Sequence, residues 1–327
     1  MKKLNVIAKI GLIVFMSIFT LSCDDDDDDM VKTPETIAEI AIATPGLENL
    51  VAALSKAGLV DVMNNPGNYT VFAPTNTAFE TFLEVNNFDS LDDVPVDVLT
   101  QVLLNHVIAK ELPAESIITG YENTLATYGS TDSKLSIYIN TSNGITLNGV
   151  SKVTTTNNVM ATNGVIHVVD AVIGIPTVVT FATADPTFST LVTALTTLTP
   201  ETPFATILAR TNTNSSDGLN PPFTVFAPTN TAFENLEAVP GESVLTQVLL
   251  HHVVSGNITS SALTPNGNTT ATTLQGENLI ITLPGTNGNI ANMTDGSGSS
   301  DIGIIKVDVQ AGNGVIHVIN KVAIPAL

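Results

Sequence analysis

Leu47, Leu50, Val51 and Leu54 recur at i, i+3, i+4 and i+7, a spacing that predicts a helix with one inward face. Thr44-Pro45 supplies its cap and first-turn proline, and Gly58 its stop. Thr33-Pro34-Glu35 announces an earlier helix in the same way. Thr70 to Ala73 then reads as a buried strand ended by Pro74, and Thr77 and Glu80 are spaced for a capping box on the next helix. Leu99, Val102, Leu103 and His106 again fall at helical spacing, which predicts a helix over 98–107 with His106 on its apolar face. After residue 134 the pattern shortens to strands: Leu135–Asn140, Gly144–Asn148, Val153–Thr156 and Val165–Ile173.

The same order of elements then recurs. TVFAPTNTAFE occupies Thr70–Glu80 and Thr224–Glu234, VLTQVLL occupies Val98–Leu104 and Val244–Leu250, and NGVIHV occupies Asn163–Val168 and Asn313–Val318. Asp185-Pro186 opens the second copy of the first long helix, with Phe188, Leu191, Val192 and Leu195 facing inward. Its strands are expected at Leu279–Leu283, Asn289–Met293, Ile302–Val309 and Val315–Ile324. A period near 150 residues is a whole domain rather than a solenoid unit. We place the domains at 33–176 and 177–327, with almost no linker, so they are expected to pack as a semi-rigid pair. The longer second copy takes up extra residues in 199–222, which reads as a surface loop. Helices first and antiparallel strands afterwards give an α+β class.

The ordered blocks FAPTNxAF, a helix carrying a histidine, and NGVIHV resemble those of the fasciclin-type domain, found here twice and covering nearly the whole chain after its first residues. The resemblance implies a β-wedge of about seven strands with several packed helices in each domain. It also implies extracellular adhesion or matrix association, and no catalytic residues. In the family a Tyr-His pair on this helix is linked with receptor binding. Here the pair is Asn105-His106 and His251-His252, without the tyrosine in either copy. These four are the candidate binding residues. By spacing alone, His106 and His252 (after Leu245, Val248 and Leu249) read as core imidazoles bonded to backbone, as do His167 and His317 within apolar strands. His251 lies off the apolar face and is expected in solvent.

Other chemistry is thin. Neither an HExxH nor an EF-hand pattern is present, and no cofactor or metal is implied. Asp295-Gly-Ser-Gly-Ser-Ser-Asp301 alternates oxygen ligands but lacks a bidentate glutamate, so it reads as a flexible loop rather than a calcium site. No nucleophile elbow or phosphate-cradling loop is found, and no catalysis is expected.

The N-terminus and the charge add an address. Lys2, Lys3 and Lys9 precede a mainly apolar stretch from Ile10 to Leu21, too short for a membrane span and suited to a signal peptide over residues 1–22. Cys23, the single cysteine, stands where a lipobox cysteine would receive its acyl chains. Asp24–Asp29 follow, and residues 23–32 read as an acidic tether resembling the surface-export signal of Bacteroidetes lipoproteins. The expected partners are therefore a membrane, through the lipid, and an extracellular protein or glycan ligand. The expected location is the outer membrane, exposed at the cell surface or facing the periplasm. A net charge of −20 argues against phosphate-backbone binding, so no nucleic acid is expected. Absent tryptophan and 5% aromatics leave little for a sugar-stacking cage. A lipid-anchored adhesion protein is the leading reading, and a structural envelope or biofilm-matrix protein acting by self-association is the alternative.

Overall fold

The computed structural model describes residues 35–236 and 238–326. In the first repeat three short helices, α1 (Ile37–Ala43), α2 (Glu48–Lys56) and α3 (Val60–Asn64), lead into strand β1 (Tyr69–Pro74). Helices α4 (Asn76–Val85) and α5 (Val96–Leu104) follow, then β2 (Val107–Ile108), β3 (Gly120–Thr127), β4 (Lys134–Asn140), β5 (Thr146–Leu147), β6 (Ser151–Lys152), β7 (Val159–Ala161) and β8 (Gly164–Val169). The second repeat runs α6 (Val178–Ala184), α7 (Ser189–Thr196), α8 (Phe204–Leu208), β9 (Phe223–Pro228), α9 (Asn230–Glu234) and α10 (Glu242–His251). It closes with β10 (Val253–Ser255), β11 (Asn268–Thr272), β12 (Asn278–Thr282), β13 (Ala291–Thr294), β14 (Ile302–Ala311) and β15 (Gly314–Ile319). Among the described residues no single helix is long and apolar enough to cross a membrane.

The α+β class holds, with a sheet of eight strands in the first repeat and seven in the second. The sheets are mixed rather than antiparallel. β1 pairs with β8 in parallel, Tyr69 beside Gly164 through Pro74 beside Val169, and β9 pairs with β15 in the same register. A strand set among the helices therefore closes against the last strand of its own domain. Both partners are buried along nearly their whole length, as parallel strands covered on two faces must be.

Local chemistry moves several expected boundaries. The first helix starts one turn later than Thr33-Pro34 suggests, at Thr36, whose hydroxyl accepts from Glu39 N–H while the Glu39 carboxylate takes the Thr36 amide. The helix after β1 is capped by Thr75, not by Thr77 with Glu80, because Pro74 ends the strand and Thr75 stays extended to receive the Ala78 amide. Thr229 does the same for Ala232. Within 199–222, expected as a loop, Phe204, Ile207 and Leu208 bury one face of α8 at i, i+3 and i+4. β3 and β11 carry mixed polar sequences that gave no strand signal, and β6 begins two residues before the stretch expected at Val153.

From residue 34 onward the chain forms one compact unit. The outer face of β3–β4 in the first repeat packs on α6 and β14 of the second. Tyr121 lies 4.9 Å from Tyr138 and 5.6 Å from Phe181, ring centre to ring centre, the latter edge-on. Its hydroxyl donates to the buried Asp185 carboxylate at 3.0 Å, and Lys306 Nζ stands 5.4 Å from its ring centre. The Ser136 hydroxyl accepts the Gln310 amide at 3.0 Å. Burial, and then the Asp185 charge, push the Tyr121 hydroxyl far above its ordinary pKa, so it stays a donor.

Candidate functional site

The four candidate binding residues all lie in the interior. α5 ends at Leu104, so Asn105 is its C-cap and His106 already sits in the turn that leads to β2. His106 Nδ1 nonetheless reaches back one turn to the Val102 carbonyl at 2.7 Å, and its Nε2 accepts the Ile173 amide at 2.9 Å. That pair of bonds sets the tautomer, with the proton on Nδ1. His252 repeats the arrangement with Val248 and Ala323, at 2.7 and 3.0 Å. Each imidazole staples the helix end to the segment that follows the last strand. Burial pushes both rings down to about 4, against the weaker upward pull of the backbone carbonyl, so both are neutral at pH 7.

His251 is a correction. Expected in solvent, it is fully buried. Its Nε2 accepts the Gly296 amide at 3.3 Å, and Nδ1 lies 3.5 Å from the Thr273 hydroxyl. The helical face it occupies looks away from the apolar core but is covered by the turn after β11 and by the loop at residue 296. Asn105 holds the same place in the first repeat and is equally buried, donating to the Gly174 carbonyl at 3.0 Å and accepting from the Thr124 hydroxyl at 3.2 Å.

The strand histidines also join backbone groups. His167 Nε2 donates to the Leu112 carbonyl and Nδ1 accepts from Asn158 N–H, while His317 bonds Ile258 and Asp308 in the same sense. The donating amides belong to left-handed residues, Asn158 at φ 56° and Asp308 at φ 60°.

The repeated blocks hold structure rather than chemistry. Asn163 Oδ1 accepts the first amide of α1, from Ile37, and its Nδ2 donates to the Met63 and Asn65 carbonyls at the end of α3. Asn313 makes the same three bonds to Val178, Leu208 and Arg210. Asn76 and Asn230, in the other block, accept the amides of Asn49 and Thr190 at the start of α2 and α7. The Asp295 loop is closed rather than flexible. Asp295 accepts from Ser297 Oγ, Ser299 N–H and Ile324 N–H, pinning the chain that follows β15. Among the described residues no group of three or more His, Cys, Asp or Glu can hold a metal. Cys23 and Asp24–Asp29 lie outside the described residues.

Two homologous voids, of about 20 Å³ in the first core and 40 Å³ in the second, are too small for a ligand. A concave feature of ligand size is a solvent-open cleft of about 760 Å³ where α4 and α5 meet the chain leaving the first repeat. Phe82, Val85, Phe88, Val98, Val172 and Ile175 line it, with Val85 73% and Val98 42% exposed. Periodicity gave no signal for it, because its residues stand on the outward sides of two helices and a linker; only the apolar identity of Val85 and Val98 at solvent positions could have done so.

The sequence profile of the fasciclin domain matches residues 45–176 and 186–325, and the chain belongs to the fasciclin domain family. It is 32% identical over 137 residues to the uncharacterized protein sll1735 of Synechocystis sp., spanning 42% of this chain and 96% of that protein. To periostin of Homo sapiens it is 27% identical over 277 residues, 82% of this chain but 29% of periostin. The fold is similar to that of a FAS1 domain pair from the insect cell adhesion molecule fasciclin I, with a TM-score of 0.50 at 20% identity, covering 86% of this chain and 97% of that one. Fasciclin domains thus occur in a cell-adhesion protein.

Proposed function

We propose that the chain is a non-enzymatic adhesion protein, anchored by lipid at Cys23 and held off the outer membrane by Asp24–Asp29. One observation carries the binding role. Every histidine of the chain is engaged with backbone inside the fold, whereas an open apolar cleft of ligand size lies on the two-domain body. A cleft rich in Phe and Val, with two exposed valines, suits apolar side chains of an extracellular protein better than a glycan.

Val85→Asp with Val98→Asp would place two charges in the cleft without touching either core. Binding of the purified chain to immobilised extracellular matrix proteins is expected to fall about tenfold, with glycan binding absent in both forms. Undiminished protein binding, or glycan binding alone, would remove the cleft from the mechanism. The address is tested separately. Cys23→Ser should move the protein from the membrane to a soluble fraction, and Asp24–Asp29→Ala should reduce its accessibility to protease on intact cells at unchanged total amount. A membrane-bound Cys23→Ser protein would remove the lipid anchor from the proposal, and unchanged protease accessibility would leave the acidic run as a spacer.

A further inference from the structure

The two repeats meet through different faces. The first offers the outer face of β3–β4, a socket, and the second offers the face made by α6 and β14, a plug. Such a heterologous contact leaves one unused copy of each face at the ends of the pair. The pairing registers identify the unused socket. Thr124, beside Ile108 and bonded to Asn105, corresponds to Thr273, beside Val254 and next to His251. Counting back along the strands, Tyr121 corresponds to Thr270, and its cross-strand partner Tyr138 to Ile280. Ser136 corresponds to Asn278. All three counterparts are exposed in the second repeat, Ile280 at 37%, on a face completed by Asn268 and Thr272 and free of charge along these two strands.

The unused plug belongs to the first repeat. α1 corresponds to α6, each preceded by a capping threonine, so Phe181 maps to Ile40 and Asp185 to Thr44. The shared left-handed position, Asn158 and Asp308, maps Gln310 to Met160 and Lys306 to Thr156. Met160 is 53% exposed and the neighbouring Ile42 64% exposed. These changes are matched across the two faces. The socket has lost the tyrosine hydroxyl and the ring that faced a cation, and the plug has lost the carboxylate and the ammonium they engaged. Ile280 then faces a plug carrying Ile40 instead of Phe181, and the backbone amide of Met160 is the counterpart of the Gln310 amide that Ser136 accepts. The charged groups of the intrachain contact, Asp185 and Lys306, thus have no charged counterpart left facing the altered socket.

We propose that the outer β11–β12 face of one chain docks the α1–β7 face of a second copy, so that the protein associates head to tail into open strings. This goes beyond ligand binding at the cleft, which lies on neither face. The aromatic anchors are absent, so the contact is weaker than the one inside the chain and is populated only where copies are concentrated.

The test is sedimentation velocity of residues 34–327, which contain both cores and the interface between them, from micromolar to millimolar concentration. The average mass should rise without a plateau and be insensitive to salt. Ile280→Lys and Met160→Lys, both at exposed positions, should each weaken association about tenfold or more, with melting temperatures unchanged. Mixed together they should form one-to-one complexes and nothing larger, because each retains one intact face. A chain that stays monomeric at millimolar concentration would overturn the proposal, as would a closed dimer or growth that survives either substitution. Loss of cleft-dependent ligand binding in these variants would count against the separation of the two surfaces.

Discussion

Taking the protein from pH 7 to pH 5 is expected to lower its stability by about 2 kcal/mol in each repeat, before carboxylates contribute appreciably. The folded rings of His106 and His252 titrate near 4, and the unfolded ones near the ordinary 6.5. Between those values the unfolded chain binds the extra proton, so stability rises with pH across the window. It is complete above about 6.5 and is lost progressively as pH falls toward 4, at a limit of about 3 kcal/mol per ring. His167, His251 and His317 are also shifted down, chiefly by burial, and push in the same direction. Asp217 and Asp301 are shifted down by hydrogen bonds from Arg210 and Lys321, and their contributions disappear only at lower pH.

Urea unfolding at pH 7.5 and pH 5 measures the effect. His106→Gln gives the control, since a glutamine amide can donate to Val102 and accept from Ile173 without titrating. That variant should be less stable at pH 7.5 yet show a smaller loss on acidification in the first repeat. An unchanged pH slope would remove His106 from the account. Acid therefore loosens the bonds that hold each repeat's exit segment, at Ile173 and Ala323, before it unfolds the sheet.

How much of this was readable beforehand depends on how local the cause is. The amphipathic helix at Leu47–Leu54, the buried strand at Thr70–Ala73 and the order of blocks follow from spacing within a dozen residues, and they stand in the structure. The parallel pairing of β1 with β8 joins segments a whole domain apart, and nothing in either strand's own pattern specifies its partner. His251 shows the same limit at one residue. A helical wheel describes one element, whereas its second cover comes from Thr273 and Gly296. The interface between repeats did leave a trace, two tyrosines at 121 and 138 where the other copy has Thr270 and Ile280. That difference is visible only once the strands are registered, and β3 and β11 were too polar to be recognised as strands.

Gly164→Ala should be the most damaging single methyl in the first repeat, and it explains why a glycine follows the bracketing asparagine in both copies. Gly164 has φ +150°, a conformation that side-chain-bearing residues rarely adopt. It also lies directly beside Tyr69 at the start of the parallel β1–β8 pair, and a Cβ there would overlap the Tyr69 carbonyl oxygen. No flexible side chain can move aside, since the obstacle is the backbone of the neighbouring strand. Relief requires β8 to withdraw from β1, which would also pull Asn163 from Ile37, Met63 and Asn65. Strain and unpaired buried groups together should cost roughly 4 kcal/mol or more, in the range reserved for backbone and network failures. Gly314→Ala poses the same conflict with Phe223 in the second repeat. By contrast, Gly58→Ala meets no neighbouring atom, and its cost is limited to the left-handed backbone at φ +67°, about 1 kcal/mol. Calorimetry of the three variants gives the ranking. A Gly164→Ala protein that melts with the Gly58→Ala one would mean that the strand pair tolerates a methyl at this position, and that the repeated glycine is kept for some reason other than the close approach of β8 to β1.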